Sequence, residues 1–180
     1  VVAPRLRAWD QRAAESADRY LVNSQVVKRM VAQVYGIEAE VLPPPPASFD
    51  RSRPAQSVPG IERPFVLCVA RLLPYKNVDL VIEAAASIPG LDVVIVGDGP
   101  ERVRLEALAA RLGGAHLLGR VQDSQLSWLY ENCEGLVAAS FEVFGLSPLE
   151  AASFGKPTVA LRDGGYLDTV SGGVTGVFFD

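Results

Sequence analysis

Four short, near-continuous apolar runs recur along the chain, at residues 66–70, 93–96, 136–139 and 158–161, each rich in Val, Leu and Ile. Runs without polar alternation suit strands covered on both faces. Between them the apolar positions take helical spacing: Val78, Leu80, Val81, Ile82 and Ala85; Val103, Leu105, Leu108 and Leu112; Leu126, Leu129 and Tyr130; Leu149, Ala152 and Phe154. A further apolar strand opens at His116 and runs to Gly119. Strand and helix alternate, which predicts βαβ units in an α/β, doubly wound parallel sheet. Asp123 is placed to cap the helix carrying Leu126 and Leu129, and Gly113-Gly114 and Gly155 to end the helices before them.

The first 42 residues follow another pattern: a helix over residues 9–17, a strand at 20–22, a Ser24-capped helix to Tyr35, and a short strand at Val41-Leu42. So small a unit cannot bury its apolar face alone. Pro43-Pro44-Pro45-Pro46 and the Ser-, Pro- and Arg-bearing stretch to Arg63 have the composition of a semi-rigid connector. Residues 1–42, 43–63 and 64–180 are therefore expected to be a small unit, a linker and the main domain. The chain starts Val1-Val2 and stops at Asp180 straight after an apolar strand pattern, so both ends are expected to be cuts in a longer protein.

Composition narrows the function. With 49% apolar and 21% charged residues, the 180-residue chain reads as an ordinary globular protein. Its net charge of −4 comes without a basic tract, which argues against nucleic acid as a partner. Cys68 and Cys133 lie in apolar surroundings with no metal-spaced partners and are read as buried, reduced thiols. No run approaches the ~18 apolar residues of a membrane span, and no signal-peptide order opens the chain. The expectation is a cytoplasmic protein, at most peripheral to a membrane.

In doubly wound sheets ligands bind beyond the carboxyl ends of the strands, so the informative loops follow the apolar runs. After residue 70, Arg71 and Lys76 flank a loop that opens a helix, a pattern that suits a multiply charged anion as well as it suits solvated surface charge. After residue 96, Gly97-Asp98-Gly99-Pro100 begins like a dinucleotide loop, but Arg102 replaces the third glycine and the strand is interior. A tight turn is the better reading.

The stretch Glu142-Val143-Phe144-Gly145-Leu146-Ser147-Pro148-Leu149-Glu150 joins a strand to a helix. It offers two carboxylates, a flexible glycine and helix-N-terminal amides that can receive phosphate or sugar oxygens. Were Glu142 and Glu150 on one helix, eight residues would separate them by about 12 Å, beyond the ~5–9.5 Å of glycosidase acid–base pairs. Separate roles fit better, and a helix-N-terminal charge beside a solvated Glu stays open. Gly164-Gly165 allows close backbone approach to a ligand, or a plain turn. His116, the sole histidine, has no nucleophile or metal partner nearby and is read as structural; Trp9 and Trp128 are read as core or interface residues.

Arg71 with Lys76, the Gly97-Asp98-Gly99-Pro100 turn, the two glutamates spaced by seven residues and the Gly164-Gly165 loop together resemble family four of the retaining glycosyltransferases, also called group 1. The match spans residues 64–180, and Tyr20-Leu21-Val22-Asn23-Ser24 is similar to the end of that family's N-terminal domain. The resemblance implies a GT-B architecture of two Rossmann-like domains. Of these the chain would hold the C-terminal donor domain, short of its final helices, and a remnant of the acceptor domain.

Carried onto matching positions, the resemblance implies that Arg71 and Lys76 hold the donor diphosphate and that Glu142 lies beside the sugar ring. Glu150 would accept from the ribose hydroxyls, and amides near Phe144, Gly145 and Leu146 would contact sugar or diphosphate. Gly97 and Val121, the latter through the Arg120-Val121 backbone, would complete the donor site. The implied reaction is sugar transfer, with retained configuration, from a UDP-, GDP- or ADP-sugar to a saccharide or lipid-linked acceptor in polysaccharide or glycolipid synthesis. Neither metal nor cofactor is expected. The chain departs from the family's Gly-Gly-x-x-Glu pattern at Asp168, one methylene shorter. A nucleotide-sugar epimerase or phosphorylase of the same architecture, or a non-catalytic binding module, remain alternatives.

Overall fold

The computed structural model describes residues 3–45, 49, 54–61 and 64–180, and the chain forms two compact units, Val1–Pro45 and Pro46–Asp180. In the first, a helix α1 (Ala3–Glu15) precedes a strand β1 (Leu21–Val22), a helix α2 (Gln25–Tyr35) and a strand β2 (Glu40–Val41) parallel to β1. Ser24 starts α2 as its composition suggests: Oγ accepts the Val27 amide at 3.2 Å. Gly36 ends it with φ 69°, a left-handed conformation that costs glycine no steric clash. Helix α1 begins well before residue 9, because Pro4 falls in its first turn, where a missing N–H breaks no helical bond.

Little of this unit is buried. Ala14, Val22 and Ala39 are, whereas Leu6, Leu21, Met30, Val34 and Leu42 are exposed. Trp9, expected in a core or interface, stands 63% exposed and is no part of a core. One two-residue ladder and two helices enclose too little volume for it.

The second unit is built on six parallel strands: β3 (Phe65–Val69), β4 (Asp92–Val96), β5 (Ala115–Gly119), β6 (Gly135–Ala138), β7 (Thr158–Leu161) and β8 (Gly176–Phe179), in spatial order β5-β4-β3-β6-β7-β8. Between them run α3 (Val78–Ala86), α4 (Arg102–Leu112), α5 (Asp123–Asn132), α6 (Leu146–Ser153) and a single turn, α7 (Tyr166–Thr169). Alternate residues of the central strands serve opposite faces. Cys68, Val93 and Ile95 pack with Val81, Ile82 and Leu105 of α3 and α4. Leu67, Val94 and Val96 pack with Leu129, Tyr130 and Ala151 of α5 and α6. Both faces being covered, β4 can be buried along its whole length, which is why its sequence shows no alternation.

Part of the expected connector belongs to this second core. Val58 is buried among the α5–α6 side chains, Phe49 and Ile61 pack beside it, and the Gln56 amide donates to Ser124 O at 3.0 Å. Residues 46–48, 50–53 and 62–63 of that stretch lie outside the described residues.

Gly113 and Gly155 close α4 and α6 with φ 76° and 71°. Asp123 is not the cap expected of it: Gln122 holds the extended capping position, its amide donating to Gln125 Oε1 at 3.1 Å, and Asp123 is the first helical residue. There its negative charge still meets the positive end of the helix dipole. Trp128 stacks on Phe65, and His116 Nε2 of the edge strand β5 lies 2.9 Å from Asp92 Oδ2 of β4, a structural pairing. Cys68 and Cys133 are buried and unbridged, and desolvation pushes their thiols up to about 12 and about 11.

Strands β3, β4 and β5 step outward one way and β6, β7 and β8 the other, so the order reverses between β3 and β6. At that reversal the connections diverge to opposite faces and leave a crevice above the carboxyl ends.

Candidate functional site

The loop leaving β3 passes through one 3₁₀ turn (Pro74–Lys76) to Asn77. Asn77 has φ 53°, a positive value that asparagine tolerates better than other residues with a Cβ. Its side-chain Nδ2 donates to Ala139 O at 2.9 Å, tying the loop after β3 to the end of β6. The tie brings Lys76 to Glu142: Nζ is in direct ion-pair contact with Oε1, the two side chains being 10% and 26% exposed. Lys76 Nζ also sits 5.0 Å from the Tyr75 ring centroid. Arg71 is exposed at the rim, its Nη2 3.4 Å from the Tyr75 hydroxyl. Both expected cations thus converge on one aromatic side chain at the crevice mouth.

Glu142 Oε1 accepts a second hydrogen bond, from Ser140 Oγ at 2.9 Å, and Ser140 Oγ lies 3.3 Å from the Tyr166 hydroxyl. Ser140 and Tyr166 are 4% and 3% exposed. Burial above all raises the pKa of the Tyr166 phenol, and the Glu142 charge adds to the rise.

The paired glycines pack closely against the backbone of the loop after β6. A Cβ on Gly164 would lie 2.3 Å from Glu142 O, and one on Gly165 2.3 Å from Phe144 Cα; the Gly165 amide donates to Glu142 O at 2.7 Å. Their small size serves close packing of two loops, which fixes the backbone of Glu142. Gly97 plays a comparable part. Its φ is 134°, a Cβ there would lie 1.9 Å from Ala70 O, and its amide donates to Gly119 O at 2.8 Å. Gly97 and Gly99 form a tight strand-to-helix turn against the β3 loop.

Helix α6 starts at Leu146 behind Gly145 (φ 84°), with no side-chain cap. Of its first three residues Leu146 and Ser147 carry an amide N–H, and Pro148 has none. Phe144 is buried and Leu146 41% exposed. Glu142 therefore precedes the helix and Glu150 lies within it, so the helical rise between them does not apply. Glu150 Oε2 accepts from the Tyr130 hydroxyl of α5 at 2.7 Å, a different partner from any that Glu142 has. Val121 is half-buried against the same core, Arg120 is exposed, and Asp168 is exposed on α7. Among the described residues no group of three or more His, Cys, Asp or Glu could hold a metal, and no helix is long and apolar enough to cross a membrane.

The family model of the glycosyl transferases group 1 matches residues 51–180. The chain belongs to this family. It is 30% identical over 200 residues to D-inositol 3-phosphate glycosyltransferase of Mycolicibacterium smegmatis, covering 98% of this chain and 45% of that protein. The Mycobacterium bovis protein of the same name is 31% identical over 194 residues, covering 96% and 40%. The chain thus spans less than half the length of these relatives. In structure it is similar to HepE of Anabaena in complex with UDP and glucose (TM-score 0.75, 26% identity, 93% of this chain and 52% of that one). Sucrose-phosphate synthase of Thermosynechococcus elongatus superposes with TM-score 0.79 at 25% identity, over 96% and 47%. The six-stranded parallel unit has the fold of a GT-B C-terminal domain.

In this member of the group 1 family the structure brings Arg71, Lys76, Glu142, Phe144, Gly145 and Leu146 to the reversal between β3 and β6, with Glu150 one helical turn further on. Sequence reasoning missed Asn77, Tyr130, Ser140 and Tyr166. Ser140 carried a faint signal, a polar residue two positions before Glu142 at the end of an apolar run. Tyr130 and Tyr166 carried none, because their apolar rings explain their places and only the fold shows what their hydroxyls meet.

Proposed function

We propose that the Pro46–Asp180 unit binds the nucleotide-diphosphate-sugar donor of a retaining glycosyltransferase whose acceptor is a saccharide or lipid-linked glycan. The observation that carries the reading is the convergence of Lys76 and Glu142 at the strand-order reversal, with Arg71 at its rim. The name of the mycobacterial relatives and the UDP and glucose in the HepE complex support it. They favour a transferase over an epimerase, a phosphorylase or a non-catalytic module.

The chemistry follows from charge. When the bond from sugar to phosphate breaks, negative charge grows on the departing diphosphate, and cations already aimed there stabilise it without reorganising solvent. Lys76 supplies a point charge and Arg71 a fork that matches phosphate oxygens. With two cations in those places the reaction needs no divalent metal. Glu150, held by Tyr130 through one oxygen, keeps the other for the ribose hydroxyls. The Gly145 and Leu146 amides reach toward the sugar or diphosphate, and Val121 offers its backbone to the base. Gly97 supports the site from behind.

The chain binds donor but transfers sugar slowly by itself, since transfer needs an acceptor held in line across the cleft. The full protein works in polysaccharide or glycolipid synthesis in the cytoplasm, peripheral to the membrane where its acceptor is lipid-linked. Metal-free calorimetric titration with UDP, GDP, ADP and their sugar conjugates tests the reading: one nucleotide binds, and Arg71→Ala and Glu150→Ala both weaken it. No binding at millimolar ligand, or binding that ignores both substitutions, overturns it.

A further inference from the structure

We propose that Tyr166 and Ser140 are positioning residues for Glu142: hydrogen bonds running from the Tyr166 hydroxyl through the Ser140 hydroxyl to Glu142 Oε1 hold this carboxylate in place when Lys76 leaves it for a diphosphate. The inference rests on the donor-site reading above and adds a role that neither side chain's own contact with a ligand would explain.

Glu142 Oε1 has two partners, the Lys76 ammonium and the Ser140 hydroxyl. A bound diphosphate competes for the ammonium with more charge than one carboxylate has. A carboxylate held by Lys76 alone would then be free to rotate. Ser140 prevents that, because it is 4% exposed and its single proton points at Oε1. That assignment fixes the next link: having spent its proton on Glu142, Ser140 Oγ can only accept from the Tyr166 hydroxyl 3.3 Å away. Burial keeps the phenol protonated and so able to donate. The chain has one direction, and Glu142 Oε2 is left to accept from a sugar hydroxyl. The backbone is set in the same way, since the residue before Tyr166 donates its amide to Glu142 O.

The test compares Tyr166→Phe, Ser140→Ala and Ser140→Thr with the wild type by calorimetry. The ligands are UDP, GDP and ADP and their glucose, galactose, mannose and N-acetylglucosamine conjugates, and thermal melting checks folding. The quantity read is affinity for the conjugate relative to the bare nucleotide. Ser140→Ala lowers this ratio about tenfold and Tyr166→Phe several-fold, with bare-nucleotide affinity within about twofold of wild type, as loss of a hydrogen bond to a charged group implies. Ser140→Thr, which keeps the hydroxyl, restores the ratio. A merely structural role would weaken both ligands together, and that result overturns the inference, as does an unchanged ratio or a threonine that fails to restore it. A wild type that binds none of the conjugates overturns the donor-site reading, and this inference falls with it.

Discussion

Lys76 and Glu142 stand 66 residues apart in the chain and touch through their charged atoms. The contact exists because β3 and β6 are neighbours and Asn77 ties one loop end to the other. Mostly buried charges depend on each other, since removing one leaves its partner desolvated and alone. Glu142→Ala is expected to destabilise the domain by about 1–3 kcal/mol in urea titrations. Lys76→Met, which fills the same space without charge, should cost less stability while abolishing nucleotide binding.

The two helix-end and turn glycines Gly113 and Gly97 should respond differently to alanine. At Gly113 a Cβ meets nothing within 4 Å, so only the backbone opposes it: φ 76° with ψ 169° is a conformation almost confined to glycine, at about 1–3 kcal/mol. At Gly97 the Cβ would lie 1.9 Å from Ala70 O, and backbone must move. Thermal melts should show a modest drop for Gly113→Ala and loss of the folded domain, or a cost of at least ~3 kcal/mol, for Gly97→Ala.

The Tyr130 hydroxyl and Glu150 Oε2 lie 2.7 Å apart, while the ring stacks on Phe154 with centroids 5.3 Å away. Tyr130→Phe keeps the stack and frees the carboxylate. Nucleotide affinity is expected to fall about three- to tenfold. Equal affinity in the variant would show that Glu150 needs no such support.

Buried acids make the domain sensitive to alkali. Cys68 is raised from 9.0 to about 12 and Cys133 from 9.0 to about 11, both chiefly by desolvation. Each is raised above its unfolded value, so the folded state keeps a proton that the unfolded chain loses. Their contribution to stability is full below pH about 9 and is lost as pH rises through 11 and 12. The raised phenols of Tyr130 and Tyr166 act in the same direction. Urea midpoints should fall between pH 8 and pH 11, and both thiols should resist alkylation at pH 8 until denaturant is added.

Much of the second unit was legible in the chain because its signals are local. Apolar runs marked all six strands of the sheet, the last as the pattern just before Asp180, and helical spacing marked α3 to α6. Where reading failed, the competing residue was a neighbour: Gln122 took the cap expected of Asp123, since an extended residue one position earlier offers its amide to Gln125. Of the core and interface readings of Trp9 only the core one fails, because the small first unit has no interior for it. Val58 was read as connector because Ser and Pro surround it, yet it lies in the α5–α6 core. The glycines at 164 and 165 showed that something comes close, but not that it is the backbone of residues 142–144.

The sequence alone determined the class of fold and which loops follow the carboxyl ends of the strands, with the charged residues they carry, because periodicity, composition and motif spacing are properties of short stretches. Only the tertiary structure decided that the strand order reverses between β3 and β6, that Lys76 therefore meets Glu142, that Asn77, Ser140 and Tyr166 lie around that pair, and that Tyr130 meets Glu150. Those contacts join residues far apart in sequence, and no local pattern encodes which strands lie side by side. Their partners are set by the packing of two helix layers on one sheet.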